Sequence, residues 1–208
     1  MYTLTLKTAP TVEPITTVQA ISYMRLGTLD ATETAYLTGL IKTAREYCES
    51  YQNRAYITQT WEMSMNCFPS EHTDTLTEYH RSDIIEIPKG NLQTVNSVKY
   101  TDSAGTVTTL AENTDYIVTK RGVLGRISPP YGCTWPTATL YPLDPIVIDF
   151  TCGYGASGAN VPLKAIQVMY MLISYWWDNR SVVLVGSISK ELEFTVRALL
   201  GMERIAVM

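Results

Sequence analysis

Charge is scarce in this sequence. Only 17% of its 208 residues are charged, while 46% are hydrophobic; an ordinary soluble domain carries about 25% charge. A chain so short of charge either leaves apolar surface in water or covers it with a partner. Positive charge is the scarcer sign, with a formal net charge of −4. That balance argues against non-specific binding to a nucleic-acid backbone, which needs a basic surplus on some face. Histidine is scarcer still: His72 and His80 are the only two, both in the polar stretch "PSEHTDTLTEYHRSD" beside Glu71, Asp74, Glu78 and Asp83. A metal site can be drawn from these side chains, but two histidines eight apart in a loop have no ligand geometry set by a helix or strand. A solvated loop is the better reading. With no other histidine to act as base, neither a Cys–His nor a Ser–His–Asp set can be placed. The sequence therefore supports no catalytic residue, no metal and no cofactor.

The four cysteines, Cys48, Cys67, Cys133 and Cys152, include no C-x-x-C, which excludes a zinc ribbon or a dithiol redox motif. Reduced thiols in a cytoplasmic protein are expected. The longest apolar run, "AIQVMYMLISYWW" from Ala165 to Trp177, has thirteen residues, short of the roughly 17 to 25 that cross a bilayer. The N-terminal "MYTLTLKTAP" lacks a basic region followed by an apolar core, so no secretory signal is expected. No membrane contact is foreseen.

What the sequence does have is a change of period. Pro14 precedes a short helix in which Thr16 and Gln19 have capping-box spacing and Gly27 sits past the end. Asp30 caps a second helix with Glu33 at its third position, and Leu37, Leu40, Ile41, Ala44, Cys48 and Tyr51 form its apolar stripe. Thr34, Lys42, Arg45, Glu46 and Glu49 lie off that stripe. After "YQNR" the period falls from 3.6 to 2: "ITQTWEMSM" alternates as a half-buried strand. "DIIEIP", "DYIVT" and "LGRIS" are further short strands, and Val95–Leu110 reads as a hairpin turning at Asp102 to Gly105. Five prolines between Ser128 and Pro145 mark an ordered, irregular loop. "IVIDFTC" closes the β part with Ile146, Ile148, Phe150 and Cys152 on one face. Helices resume over Val161–Arg180 and Ser189–Gly201. The expected fold class is α+β: a helical bundle formed by the N- and C-terminal helices (about 16–53 and 161–201), with an inserted region of short antiparallel strands (about 57–152), all in one domain.

Between the last strand and the next helix lies "CGYGASG", in which Gly153, Gly155 and Gly158 match G-x-G-x-x-G, with Asp178 about twenty residues on. A nucleotide-binding enzyme using Gly153–Gly158 is the alternative to a structural role. It demands a parallel βαβ unit whose helix starts on the glycines. Here Pro162 belongs to the first helical turn and no second strand precedes Asp178. The better reading is a glycine-rich connection. The two helix ends "YQNR" and "WDNR" have a similarly local explanation: Asn tolerates the left-handed conformation past a helix end, and Arg reaches the last carbonyls.

The helix over Val161–Arg180 carries only one narrow polar stripe, Lys164, Gln167, Met171, Ser174 and Asp178. Most of its remaining surface is apolar, which calls for burial against more than one layer. The second layer is either the chain's own core or a neighbouring subunit; in the second case Val168, Leu172 and Tyr175 are the candidate oligomer interface.

The segments "ITTVQAISYMRL", "AYLTGLIKTAREYCESYQNRAYITQTWEM", "GRISPPYGCTWP", "IDFTCGYG" and "VPLKAIQVMYMLISYWWDNR" together resemble the head–tail connector (head-completion adaptor) proteins of tailed bacteriophages and prophages. The resemblance runs from Pro14 to Arg180 and departs at "IPKGNLQTV", where a second proline nearer Leu92 is expected. It implies a non-enzymatic structural protein that forms a ring below the phage portal and extends the DNA exit channel. The implied partners are further copies of itself, the portal protein and the next head-completion or tail protein, with DNA passing through without specific binding. The implied location is the virion neck, with assembly in the host bacterial cytoplasm. In such proteins the C-terminal part docks on the portal. The apolar residues there that lie off the inward stripe or at the chain end are Phe194, Ile205, Val207 and Met208. Either this tail folds back on its own domain, or it orders only against the portal.

Overall fold

The computed structural model describes residues 2–69, 83–180 and 190–205, with side chains from Leu192 onward in the last segment. The candidate metal loop with His72 and His80, and the tail residues Val207 and Met208, lie outside the described residues. The chain divides into two compact units. One comprises Met1–Ala9 and Gln59–Gly153, the other Pro10–Thr58 and Tyr154–Met208.

The first unit is built of antiparallel strands. Strands β1 (Tyr2–Thr8), β2 (Gln59–Met65), β4 (Leu92–Thr101), β5 (Val107–Leu110) and β8 (Ile146–Cys152) form a sheet in the order β1-β2-β8-β4-β5. A second sheet has the order β3-β7-β6, from β3 (Ile85–Ile87), β6 (Ile117–Thr119) and β7 (Gly125–Ser128). The register puts Met63 opposite Ile148 and Ile148 opposite Val98, so one face of the large sheet is a row of apolar side chains. Ile146, Ile148, Phe150 and Cys152 are all buried, as their alternation requires. The opposite face is polar. Lys7 Nζ lies 2.7 Å from Asp149 and 3.3 Å from Glu62, and Asn96 donates to both Asp149 and Thr151. The expected hairpin is β4–β5, where the Asp102 carboxylate accepts the amides of Ala104 and Thr106. Strand β1 was not anticipated. Its Thr/Leu alternation fits a strand, but its partner β2 lies beyond two intervening helices, and local pattern says nothing of so distant a pairing.

The second unit holds the helices α1 (Thr17–Met24), α2 (Ala31–Gln52), α3 (Leu163–Asp178) and α4 (Lys190–Leu200). Both expected capping boxes are present. Thr16 accepts from the Gln19 amide, and Asp30 from that of Glu33 at 2.7 Å. α1 stops earlier than Gly27 suggested: Arg25 takes the left-handed conformation, φ 54°, and its amide caps the last turn. At the end of α2, Asn53 does so at φ 53°, as its side chain favours. One core joins the four helices. It contains Ala20 of α1, Leu37, Ile41, Ala44 and Cys48 of α2, Ala165, Val168, Met169, Leu172 and Ile173 of α3, and Val196 and Leu200 of α4.

Arg45 and Glu49 depart from expectation. They lie off the apolar stripe of α2, yet both are buried. Arg45 Nη1 donates to Glu49 and Nε to Glu13, each at 2.7 Å, and Glu49 also accepts the Tyr56 amide at 2.7 Å. Burial by itself would lower the Arg45 pKa, but the two carboxylates outweigh it and hold the guanidinium above its ordinary range.

The described part of the C-terminal tail folds back on its own unit. Gln52 Nε2 donates to the Leu200 carbonyl, Asn53 Nδ2 to that of Ile205, and Arg54 Nε to that of Glu203. The Ile205 amide donates to the Gln52 carbonyl at 3.0 Å, and the Ile205 side chain is buried. Truncation after Gly201 is therefore expected to lower the unfolding free energy by roughly 3–5 kcal/mol, the sum of lost apolar burial and lost hydrogen bonds. An unchanged urea midpoint would show that the tail is not part of the folded unit.

All four cysteines are free thiols, Cys48 and Cys152 buried, Cys67 and Cys133 exposed. Burial pushes the Cys48 thiol from 9.0 up to about 12. The folded state thus keeps a proton that the unfolded chain releases, so stability should fall as pH rises from about 9 toward 12. At pH 8 a thiol reagent should modify Cys67 and Cys133 rapidly, and Cys48 and Cys152 only after denaturation. Rapid reaction of all four in the native protein would contradict this placement.

Candidate functional site

The glycine segment is occupied by its own backbone. Strand β8 has antiparallel neighbours on both sides, β2 and β4, so it belongs to no βαβ unit. Gly153 and Gly155 adopt φ 128° and 154°, conformations that side chains oppose. The Gly153 amide donates to Asn91, the Tyr154 amide to Tyr56, and the Gly155 carbonyl accepts from Thr58. Ser157 caps a 3₁₀ turn, Gly158–Asn160, and α3 begins only at Leu163 behind Pro162. At Gly158 a Cβ would sit 2.2 Å from the Pro14 carbonyl oxygen, so close backbone approach accounts for this glycine. The chemistry of the segment is that of a tight connection and not of a phosphate cradle.

The apolar surplus of α3 is taken up mainly within the chain. Val168 and Leu172, expected at a subunit interface, are each 0% exposed in the helical core, and only Tyr175 keeps partial exposure. The physical reason is that α2 and α4 both draw on this helix for one core. The "WDNR" end behaves partly as expected. Asn179 is not left-handed, but its side chain donates to Tyr175, and Arg180 Nε donates to the Trp177 carbonyl. Arg180 also lies over the rings of Trp177, at 4.2 Å, and Tyr36, at 5.0 Å. Arg54, at the matching "YQNR" end, reaches the tail instead.

Of the expected portal-docking residues within the described chain, Phe194 is 73% exposed on α4, whereas Ile205 is spent on its own unit. Met202 is 86% exposed just past the helix. Ala198 is also exposed, so Phe194, Ala198 and Met202 follow one another at four-residue spacing along an uncovered edge. That spacing is in the sequence; what it lacked was any sign that Ile205, and not Met202, turns inward.

Each unit has a recess among its described residues. The β unit has a cleft of about 390 Å³ lined by Phe68, Trp135 and Leu140, in which Phe68 stacks on Trp135 at 5.0 Å and Trp135 Nε1 donates to the Asp83 carbonyl. The helical unit has one of about 320 Å³ between the start of α1 and the start of α3, walled by Pro14, Val161, Leu163, Ile166 and Tyr170. No group of three or more His, Cys, Asp or Glu side chains able to hold a metal occurs among the described residues, and no helix among them is long and apolar enough to cross a membrane. Charge is unevenly spread. The β unit carries eleven of the twenty acidic and seven of the sixteen basic side chains, while the helical unit is balanced at nine of each.

If the glycines are structural, Gly158→Ala should destabilise the protein by about 1–3 kcal/mol, as overpacking does, and titration of NAD or ATP into the wild type should give only heat of dilution. A stoichiometric micromolar binding signal would reverse this reading of the loop.

No protein-family model and no curated protein matches the sequence. Solved structures do. The chain is similar in fold to a chain from the neck of an empty gene transfer agent particle computed with C6 symmetry (TM-score 0.76, 23% identity, covering 99% of this chain and 97% of that one). It is similar to a chain of the virion of a native gene transfer agent particle (TM-score 0.71, 23% identity, 99% and 97%). A chain from the neck of the native particle computed with C12 symmetry also shares the fold (TM-score 0.65, 20% identity, 98% of each chain).

Proposed function

We propose that this chain is a structural, non-enzymatic component of a phage-type virion neck. In this reading it is a head–tail connector whose copies form a ring below the portal and extend the DNA exit channel. The observation that carries the reading is the likeness of fold to neck chains along 98–99% of the sequence, in particles computed with sixfold and twelvefold symmetry. A match confined to one unit would point only to a shared module; this one takes in both. The resemblance of the segments between Pro14 and Arg180 to head–tail connector proteins points the same way. The partners are then further copies of the chain, the portal above it and the next head-completion or tail protein below. The chain acts in the virion neck, having been made in the host bacterial cytoplasm.

Function of this kind lies in surfaces. The uncovered edge of α4 with Phe194 and Met202 is the surface assigned to the portal, since a large exposed aromatic with an adjoining apolar side chain is the composition of an interface centre. The chain's net charge of −4 weakens phosphate contacts and lets a passing duplex slide.

The test is reconstitution on heads that carry a portal but lack this protein. Wild-type protein should add ring density to the portal vertex in averaged electron micrographs. Phe194→Asp should fold normally, because its side chain is largely solvent-exposed, and attach at least about tenfold more weakly. Normal attachment of that variant would remove α4 from the portal contact, and absence of wild-type ring density would sink the connector reading.

A further inference from the structure

The loop from Pro129 to Pro145 has a protruding feature that nothing in its own unit explains. It carries a single charged residue, Asp144, and is anchored at several points. Trp135 is buried, the Ser103 amide donates to the Thr139 carbonyl at 2.8 Å, and the Tyr141 amide donates to that of Thr101 at 3.0 Å. At its tip the Cys133 amide donates to the Pro130 carbonyl at 3.0 Å and Gly132 has φ 76°, the pattern of a type II turn. Such a turn, stiffened by Pro129 and Pro130, holds Tyr131 outward at 98% exposure. A large ring presented on a rigid support is pre-organised to bind, because little freedom remains to be lost.

The helical unit offers a recess of matching character. The wall residues Leu163, Ile166 and Tyr170 are apolar, and Tyr170 is fixed by stacking on Tyr23 at 4.5 Å. Thr16, Gln19 and Ser157 also line the recess, their side-chain oxygens accepting the capping hydrogen bonds of α1 and of the 3₁₀ turn. The single charge there, Glu13, is already committed to Arg45. Leu163 at the mouth is 84% exposed.

We propose that Tyr131 of one copy seats in the α1–α3 cleft of the next copy, which rests on the ring reading above. Both features are apolar and nearly free of available charge, which disfavours DNA or an acidic membrane as the occupant. Both belong to the same chain and differ from one another, and a heterologous interface that repeats around an axis requires two different, complementary patches on each subunit.

The pairing has a direct test in two variants at solvent-exposed positions. Tyr131→Asp lacks the protrusion and keeps the cleft. Leu163→Asp places a carboxylate at the mouth of the cleft and keeps the protrusion. By sedimentation, with folding checked by circular dichroism, wild type should assemble with rising concentration while each variant alone stays monomeric. An equal mixture of the two should give a one-to-one heterodimer and nothing larger, because only one intact contact can form and both outer ends are broken. Variants that each assemble like wild type, or a mixture that stays monomeric, would overturn the pairing and leave the ring reading standing. Rings formed normally by Tyr131→Asp, with loss only of attachment to portal-bearing heads, would also overturn it, by assigning Tyr131 to a different partner. Wild-type protein that remains monomeric at every concentration and adds no ring to such heads would remove the ring reading, and the pairing with it.

Discussion

Ionised side chains leave water only where other groups replace their hydration, and α2 buries two of them. Arg45 is held between Glu49 on its own helix and Glu13 on the segment before α1, and Glu49 reaches forward to the Tyr56 amide. The Tyr56 hydroxyl donates in turn to Gln52. Removing one member of such a set leaves an uncompensated charge inside the protein, at a cost of about 3–5 kcal/mol. The set therefore constrains geometry more than it adds to stability. It fixes where the chain enters before α1 and the direction in which it leaves α2. The left-handed Asn53 and the buried Tyr56 follow from that exit.

The described end of the chain, from Leu200 to Ile205, is then held at that exit. Gln52, Asn53 and Arg54 each hold one carbonyl of the final segment, and Arg54 Nη1 also donates to the Tyr154 hydroxyl. Three consecutive side chains thus join residues about 150 positions apart in sequence. Hydrogen bonds to backbone carbonyls specify position without demanding particular side chains in the tail. The tail's outward residues, Phe194 and Met202 among them, are left available for other work.

How much of this was legible in the sequence depends on the range of each interaction. The capping boxes at Thr16 and Asp30, the alternation of β8 and the Asp102 turn are settled within a few residues, and each formed where pattern placed it. Arg45 and Glu49 were misjudged because periodicity separates apolar from polar positions but does not reveal that Glu13, 32 residues earlier, supplies a partner. The same limitation hid β1 and made Val168 and Leu172 resemble an interface. An apolar helix looks the same in sequence whether its second layer is another chain or its own α4. Of the residues named for docking, Phe194 was readable as lying off the inward stripe of α4. The inward turn of Ile205 depends on Gln52 and Asn53, which no local rule connects to it.

Seen with these surfaces, the low charge content becomes a matter of distribution. Half of the β unit's described cations are engaged: Lys7 lies between Asp149 and Glu62, Lys89 over the ring of Trp61, and Arg126 on Glu86. Among the described residues of that unit, Lys99, Lys120 and Arg121 remain at the surface outside any ion pair. Each phosphate contact a protein makes adds to the salt-dependent attraction for DNA, so a ring multiplies whatever cations its subunits expose. In the ring proposed above, even one free lysine per subunit would recur around the whole circumference. In the proposed ring, pairing Lys7 and Arg126 within each subunit reduces that multiple and leaves Lys99, Lys120 and Arg121 to set it, while the exposed apolar side chains, Tyr131, Leu163, Phe194 and Met202, stay available for protein contacts.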